Sequence, residues 1–542
     1  MENKNTIIAL ILMLAVWVGF SFLTSPPTKA PPSKAAVSTS AKSREPASVP
    51  TPVKQKKSSS VVASAVTVPT VSHEESITVD TGLFRAVLTN SGARIKSFTL
   101  KNYRVSVNPK SASVALVNAD SADNATLATS GTGGFGVSPE TLYAVSDGGK
   151  TLSLTGNQSR KVVFKALGAN GLVIEKIYTF HGDRYDFDLS VKVINQGNSS
   201  ASGAFKLSLV HPWNKTMHST HYSFVGPSTL IGNKLHNDKV PDLEKNGLDY
   251  ADNVNWTAFS TKYFMTAVVP LDSARGKVQL RKQNNFVFNR MDAPLLSLAP
   301  GHEADYHYLV YFGPRDLDIL KKVDHHLAKA IDFGFFSILA VPLLYVLKFF
   351  YAYVGNYGIA IIIVTVIIKL LFWPLTQKSY TSMKAMQTLQ PQMQKIREKH
   401  KNDRERLNRE IMQLYKKHRV NPLGGCLPMV VQIPVFFALY EMLLGSIELR
   451  HAYFALWLTD LSAKDPYYIT PLIMGVTMFI QQKMSPTSMD PTQAKLFLLM
   501  PVVFTFLFLN FPSGLVLYWL VNNILTIVQQ WFINKKADAQ PA

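Results

Sequence analysis

Tyr357 to Thr376 reads YGIAIIIVTVIIKLLFWPLT, an apolar run interrupted by one full charge, Lys369. A helix of that length matches the hydrocarbon core of a bilayer, about 30 Å at 1.5 Å per residue. A lysine at the centre of such a span costs roughly 2.5 to 3.5 kcal/mol on insertion scales, so its amine either snorkels to an interface or faces a wet, functional cavity. Lys369 stands about 7 Å along the axis from Pro374 and the basic segment beyond it, and this helix alone leaves both readings open.

Outward from that stretch the composition is uneven. The 542 residues are 47% hydrophobic and 17% charged with a net charge of +20, and the long uncharged runs crowd the last third. The chain therefore reads as a polytopic α-helical membrane protein carrying a soluble domain. Its one cysteine, Cys426, excludes an intramolecular disulfide and any Cys/His zinc spacing, and its distance from the N-terminus argues against lipoprotein anchoring. No metal and no cofactor is expected. Much of the excess of Lys and Arg flanks the spans, where the positive-inside rule explains it without nucleic acid.

Residues 1–23 hold the apolar run Ile7 to Leu23, and the following Thr24-Ser-Pro-Pro lacks a small-x-small cleavage site, so an uncleaved anchor is expected. Residues 24–72, rich in Pro, Ser, Thr, Ala and Lys, read as a flexible tether. Residues 73–314 change to short alternating runs such as Phe84–Thr89, Val173–Phe180, Tyr185–Val193 and Tyr306–Phe312, separated by Asn, Gly and Asp signals. Period two with one buried face predicts a large antiparallel β-sandwich. His211, His218, His221 and His236 scatter around Trp213 without fixed spacing or a partnered carboxylate, which favours satisfied loop histidines over a catalytic or sugar site.

Residues 315–354 are an amphipathic, interfacial region. Leu317, Leu320, Val323, Leu327 and Ile331 fall at helical spacing opposite Lys321, Lys322 and Lys329, which predicts a helix lying on the membrane surface. Phe333 to Val354 is long enough to span, but the loop 377–420 holds twelve basic against four acidic residues. That loop belongs in the cytoplasm, so Phe333–Val354 is kept interfacial and residues 355–376 cross. Within the loop, Tyr380, Met383, Met386, Leu389, Met393 and Ile396, then Leu407, Ile411 and Leu414, recur every three or four residues. They predict a cytoplasmic antiparallel helical hairpin, with Pro391 kinking its first arm. Met383, Met386 and Met393 are either its seam or an adaptable docking surface for apolar substrate segments.

Further spans are expected at residues 421–444, 467–483, 496–510 and 515–533, with a tail at 534–542. Six spans including the anchor place the β domain outside and both termini inside. No GxxxxGK[ST] or HExxH occurs, and Ser513 lacks a GxSxG context, so nucleotide-driven, zinc-protease and serine-protease chemistry have no motif. The chain is therefore not expected to be an enzyme. The spans do contain Lys369, Thr365, Gln432, Gln482, Asn522 and Asn523, which lipid cannot satisfy; several are expected to line one hydrated interior. Isolated interhelical bonding would equally explain Asn522 or Thr365 taken alone.

NPLGGC from Asn421, GVTMFIQQKMSPTS from Gly475, FPSGLVLYW from Phe511 and the PLT ending the charged span resemble the YidC family of bacterial membrane protein insertases, with mitochondrial Oxa and chloroplast Albino relatives. The resemblance covers about Asp332 to Ile533, and the tether and β domain are similar to the periplasmic part of Gram-negative members. It implies a five-helix insertase core, residues 355–533, whose groove is closed to the periplasm and open to cytoplasm and lipid. It implies that Lys369 sits in that groove and that Gln432, Gln482, Tyr518 and Trp519 match groove or substrate positions. Many relatives have arginine in place of Lys369, so a point charge fits and a bidentate fork does not. Tyrosine is usual in some members where Trp519 stands. The implied partners are nascent membrane proteins, the ribosome, the Sec translocon and the bilayer, with the chain acting as a monomer in the inner membrane. A secondary transporter would require a related second half, which is not visible, and an anchored periplasmic binding protein would depend on the β domain.

Overall fold

The computed structural model describes residues 68–538 apart from 139, 147, 215–216, 218–223, 252, 272–275, 401–402, 419, 421–426 and 486–490. The anchor, most of the tether, His218, His221 and the NPLGGC segment lie outside the described residues.

Alternating side chains build the β domain. Its centre is a nine-stranded antiparallel sheet, in which Phe187, Leu189 and Val191 pair with Val310, Tyr308 and Tyr306 across the strands Asp186–Asn195 and Glu303–Pro314. Paired residues share a face, and that face is covered by two smaller sheets, of five and six strands. Phe98 of the five-stranded sheet packs edge-on against Phe312 at 5.2 Å, while Phe205 of the six-stranded sheet lies 5.8 Å from Tyr306. The expected sandwich is therefore present in two-against-one form, with one parallel pair, Ser76–Asp80 with Thr151–Ser153. His211 is buried, hydrogen-bonded to Thr266 and stacked on Phe259 at 4.3 Å. Burial pushes its imidazole down to about 3, so it stays neutral, and His236 packs on Tyr250. Both are structural.

The expected surface helix over residues 316–331 is corrected. Asp316 caps a short helix, α1 (Leu317–Val323), accepting from the Asp318 and Ile319 amides. Asp324, His325 and His326 then take left-handed backbone at φ of 67°, 48° and 60°, and the chain resumes as a single 3-10 turn at Leu327–Ala330. Leu320, Leu327 and Ala330 pack into the β-domain core, and Trp256 donates to the His326 carbonyl at 3.3 Å. The apolar stripe faces protein rather than lipid because the sheet's outer face offers Trp256 to bury it.

Among the described residues eight α-helices follow: α2 (Ser337–Val354), α3 (Tyr357–Thr388), α4 (Gln390–Lys399), α5 (Arg404–Lys417), α6 (Leu427–Gly445), α7 (Ile469–Met484), α8 (Pro491–Phe508) and α9 (Ser513–Asp538). Among the described residues, Gly334–Val354, Tyr357–Thr388 and Ser513–Lys535 are long and apolar enough to cross a membrane. Length alone does not place α2, but its contacts do. Phe333, just before it, lies against Gly445 at the end of α6, Tyr345 takes a hydrogen bond from Lys321, and Tyr351 stacks on Tyr357 at 3.7 Å. The middle and end of α2 thus meet α1 and the start of α3, while its beginning lies along α6, with Phe336 stacked on Phe437 at 5.7 Å.

Lys348 of α2 fastens the two halves together. Its amine meets Asp318, Glu448 at 3.2 Å and Asp316 at 3.7 Å, two carboxylates from the β-domain linker and one from the turn after α6. Arg450 adds a second tie, donating to the Arg104 carbonyl and lying over the Phe264 ring at 5.3 Å.

Helix α3 begins at Asn356, whose side chain accepts from the Ile359 amide at 3.2 Å and donates to the Phe454 carbonyl at 2.9 Å. It runs through Pro374 without ending, so the charged span and the start of the hairpin are one helix. The break comes at Leu389, and Pro391 sits in the first turn of α4, where its missing N–H costs nothing. Helix α7 packs close to α8 because a Cβ at Gly475 would lie 2.0 Å from Thr505 Oγ1. Gly475→Leu is expected to force these helices apart and destabilise the core by about 1 to 3 kcal/mol, read as a lowered unfolding midpoint of the purified protein; an unchanged midpoint would show that the crossing is slack.

Candidate functional site

The last helix supplies the organising feature. Asn522, Asn523, Thr526, Gln529 and Gln530 recur at helical spacing along α9, whereas Ile524 and Val528 between them, and Trp531 and Phe532 just after, are exposed. The helix thus turns its polar stripe inward and its apolar side outward, as a bilayer demands.

Together these polar residues meet three neighbouring helices, α6, α7 and α3. Asn522 Oδ1 accepts from Gln432 Nε2 of α6 at 3.3 Å, and Asn523 Nδ2 donates to Thr477 Oγ1 of α7 at 3.4 Å. Thr526 Oγ1 accepts from Lys369 Nζ of α3 at 2.6 Å and donates to its own helix at the Asn522 carbonyl. Gln529 donates to the Trp373 carbonyl at 3.3 Å, and Gln530 donates to the Tyr380 hydroxyl and to Ser485 Oγ at 3.0 Å. The Oε1 atoms of Gln529 and Gln530 are buried without a partner among the described residues.

Lys369 is 8% exposed. An ammonium has three N–H donors, and this one has a single acceptor, Thr526, among the described residues. From the β-domain ends of α3 and α9, Lys369 and Thr526 lie at the same depth, about 18 to 20 Å at 1.5 Å per residue. That is past the midplane of a 30 Å core, in the half nearer the hairpin.

Toward the β domain the stripe is stopped by rings. Trp519 lies 4.8 Å from Phe436, 5.0 Å from Phe508 and 6.1 Å from Phe504, and Tyr518 is buried beside Phe436 and Gln432. Toward the hairpin it opens into a cleft of about 300 Å³ lined by Tyr380, Lys384, Lys483, Ser485, Gln530 and Asn534 among others. The interior is therefore aromatic and shut at one end, polar and indented at the other.

The expected site residues are partly brought together. Lys369, Gln432, Tyr518 and Asn522 converge on one side of α9, with Trp519 one turn away. The chamber expected around Lys369 is not open: the cleft lies about 16 Å farther along α3, at Tyr380, and Lys369 is packed against Thr526. Thr365 donates to its own helix at the Ile361 carbonyl, and Gln482 is half-buried with no side-chain hydrogen bond among the described residues. Met386 and Met393 are 8% and 5% exposed, and Met393 accepts from the Tyr415 hydroxyl across the hairpin. Met393 thus belongs to the hairpin's seam, one of the two roles open to the methionine stripe; Met383 is half-buried and Met412 stands exposed. Ser513 donates to the Asp460 carbonyl at 2.9 Å, a structural bond. Thr526, Gln529, Gln530, Tyr380 and Ser485 were not anticipated, although the first three extend the spacing begun by Asn522 and Asn523. Among the described residues no cluster of metal-ligating side chains occurs.

Comparison with known proteins agrees along the chain. The family profile described as 60Kd inner membrane protein matches residues 349–540, and that described as YidC periplasmic domain matches residues 76–346. A membrane protein insertase YidC of Geotalea daltonii is 47% identical over 99% of this chain and 100% of its own length. The one of Geotalea uraniireducens is 48% identical over 98% of this chain and 99% of its own. A solved active YidC insertase with its first transmembrane domain resolved covers 85% of this chain and 93% of its own, at 17% identity and a TM-score of 0.36.

Proposed function

This chain belongs to the YidC family of membrane protein insertases, and we propose that it inserts its substrates by offering one under-satisfied cation, Lys369, to polar or acidic residues of the incoming chain. Its substrates are membrane proteins, its medium is the lipid bilayer of the inner membrane, and residues 76–346 are its periplasmic domain.

The observation that carries the mechanism is the single bond from Lys369 to Thr526. A buried ammonium with unfilled donors gains from any acceptor that reaches it, whether water or a substrate carboxylate. Displacing Thr526 would open α3 from α9 along the Gln432, Asn522 and Lys369 side, giving a polar path through the half of the membrane nearer the hairpin. The aromatic cluster at Trp519 would end that path, so a translocated residue has only the remaining part of the core to cross. The substrate's apolar segment then leaves sideways into lipid, where burial supplies the driving force. No covalent step is needed.

In this arrangement α2 lies at the periplasmic interface, both termini are cytoplasmic, and α4 and α5 stand in the cytoplasm where nascent chains arrive. The basic hairpin suits contact with the ribosome, and the chain works as a monomer, alone or beside the Sec translocon. A photo-crosslinker at Gln432 or Trp519 is expected to capture a stalled nascent membrane protein, while one at Lys110 on the β domain is not. Capture absent from both groove positions, with the chain still inserting substrate, would overturn the path.

A further inference from the structure

We propose that the cleft where α3, α7 and α9 meet at the hairpin end binds an anionic phospholipid through its phosphodiester headgroup. Depth comes first. Counting about 20 residues of α9 from Ser513 crosses a 30 Å hydrocarbon core and arrives at Ile533, between the lining residues Gln530 and Asn534. Helix α7 ends at the same level with Lys483 and Met484. Trp531 and Phe532, half-exposed on the outer side of α9, stand where interfacial aromatic rings belong. The cleft is thus at headgroup height, at the hairpin end of the polar stripe, with the apolar outer side of α9 beside it.

Its chemistry is that of a phosphate site with an additional acceptor. Lys384 and Lys483 bring two ammonium groups and Tyr380 a hydroxyl, while the Ser485 hydroxyl is held by the Gln481 carbonyl at 2.9 Å. Gln530 is 2% exposed, its amide nitrogen held by Tyr380 and Ser485, and its Oε1 is a buried acceptor with no partner among the described residues. A phosphodiester alone carries no hydrogen-bond donor, whereas a glycerol headgroup brings hydroxyl donors beside the phosphate to a wall that already holds an unfilled acceptor. Met484 and Ile533 add an apolar margin for the start of the acyl chains. A lone phosphate would leave most of about 300 Å³ unfilled. The fit is to a phosphatidylglycerol-like lipid.

The test uses the full-length protein in phosphatidylcholine nanodiscs, with phosphatidylglycerol added and bound lipid counted by native mass spectrometry. Retention of one phosphatidylglycerol well above the phosphatidylcholine background is expected. Lys384→Gln with Lys483→Gln is expected to weaken it about thirtyfold, the effect of two lysines at a membrane surface, and the Lys→Arg pair is expected to retain it. Equal retention of both lipids, indifference to the glutamine pair, occupancy by inorganic phosphate in place of lipid, or preference for a single-stranded RNA oligonucleotide would each overturn the assignment. Should the glutamine pair fail to fold, Tyr380→Phe together with the arginine pair decides: the hydroxyl loss weakens phosphatidylglycerol retention several-fold and the arginines keep it.

Discussion

Lys369→Glu is expected to reduce insertion of a substrate with an acidic translocated segment by roughly tenfold or more, with Lys369→Ala falling nearly as far and Lys369→Arg keeping much of the activity. A tenfold loss corresponds to about 1.4 kcal/mol, less than the price of leaving one carboxylate without its counter-charge in a low-dielectric interior. Arginine preserves the charge but spreads it over a planar fork that the single acceptor Thr526 does not match. Thr526→Val separates charge from packing: it removes the resting partner, leaves the cation, and is expected to insert at near-normal rates. Protease protection of newly made substrate in proteoliposomes reads all four variants. Normal insertion of the acidic substrate by both the alanine and the glutamate variant would exclude a role for the charge.

Lys348→Ala is expected to destabilise the junction between the β domain and the helices by about 3 kcal/mol, because it leaves Asp316, Asp318 and the largely buried Glu448 facing one another without a cation. Limited proteolysis should then cut between α1 and α2 where the wild type resists. The pH dependence has a definite sign. Burial holds the Glu448 carboxyl above its ordinary range despite Lys348, so in the variant, without that cation, it takes up a proton still more readily. The defect should shrink as pH falls through the carboxylate range and be full at neutral pH. In the wild type, burial pushes the Asp318 carboxyl up, but the hydrogen bond and charge of Lys348, with Tyr345 and Lys321 behind them, together outweigh it and hold the group below its ordinary range. Its stabilisation is present above the unfolded carboxylate pKa and lost as pH falls through the lowered folded value. A variant as resistant as wild type at neutral pH would mean that Arg450 and the apolar contacts suffice.

What the sequence carried was mainly periodicity and charge. Strands such as Phe84–Thr89 appear where alternation puts them, because a half-buried sheet leaves period two in plain view. Lys369 stood out because hydrocarbon makes any charge conspicuous. The continuation of α3 past Pro374 was hidden, since a proline removes one helical hydrogen bond without dictating an end. The 316–331 stripe was read correctly as apolar and wrongly as lipid-facing; periodicity tells which side is buried and not against what. Gln529 and Gln530 were overlooked because amides near the end of a span resemble an ordinary interface, and only their convergence on Trp373, Tyr380 and Ser485 reveals the stripe.

The bond from Gln529 to the Trp373 carbonyl sits one residue before Pro374, the point at which α3 lacks a backbone donor. The membrane part of the helix is therefore pinned to α9 immediately ahead of its most compliant joint. A load applied to the arm beyond Pro374 is therefore expected to bend the rod at this fulcrum and to be shed before it reaches the amine. Hydrogen exchange should show the amides just beyond Pro374 opening readily while those around Lys369 stay protected, so that the ion site unlatches on chemical demand and ignores mechanical noise.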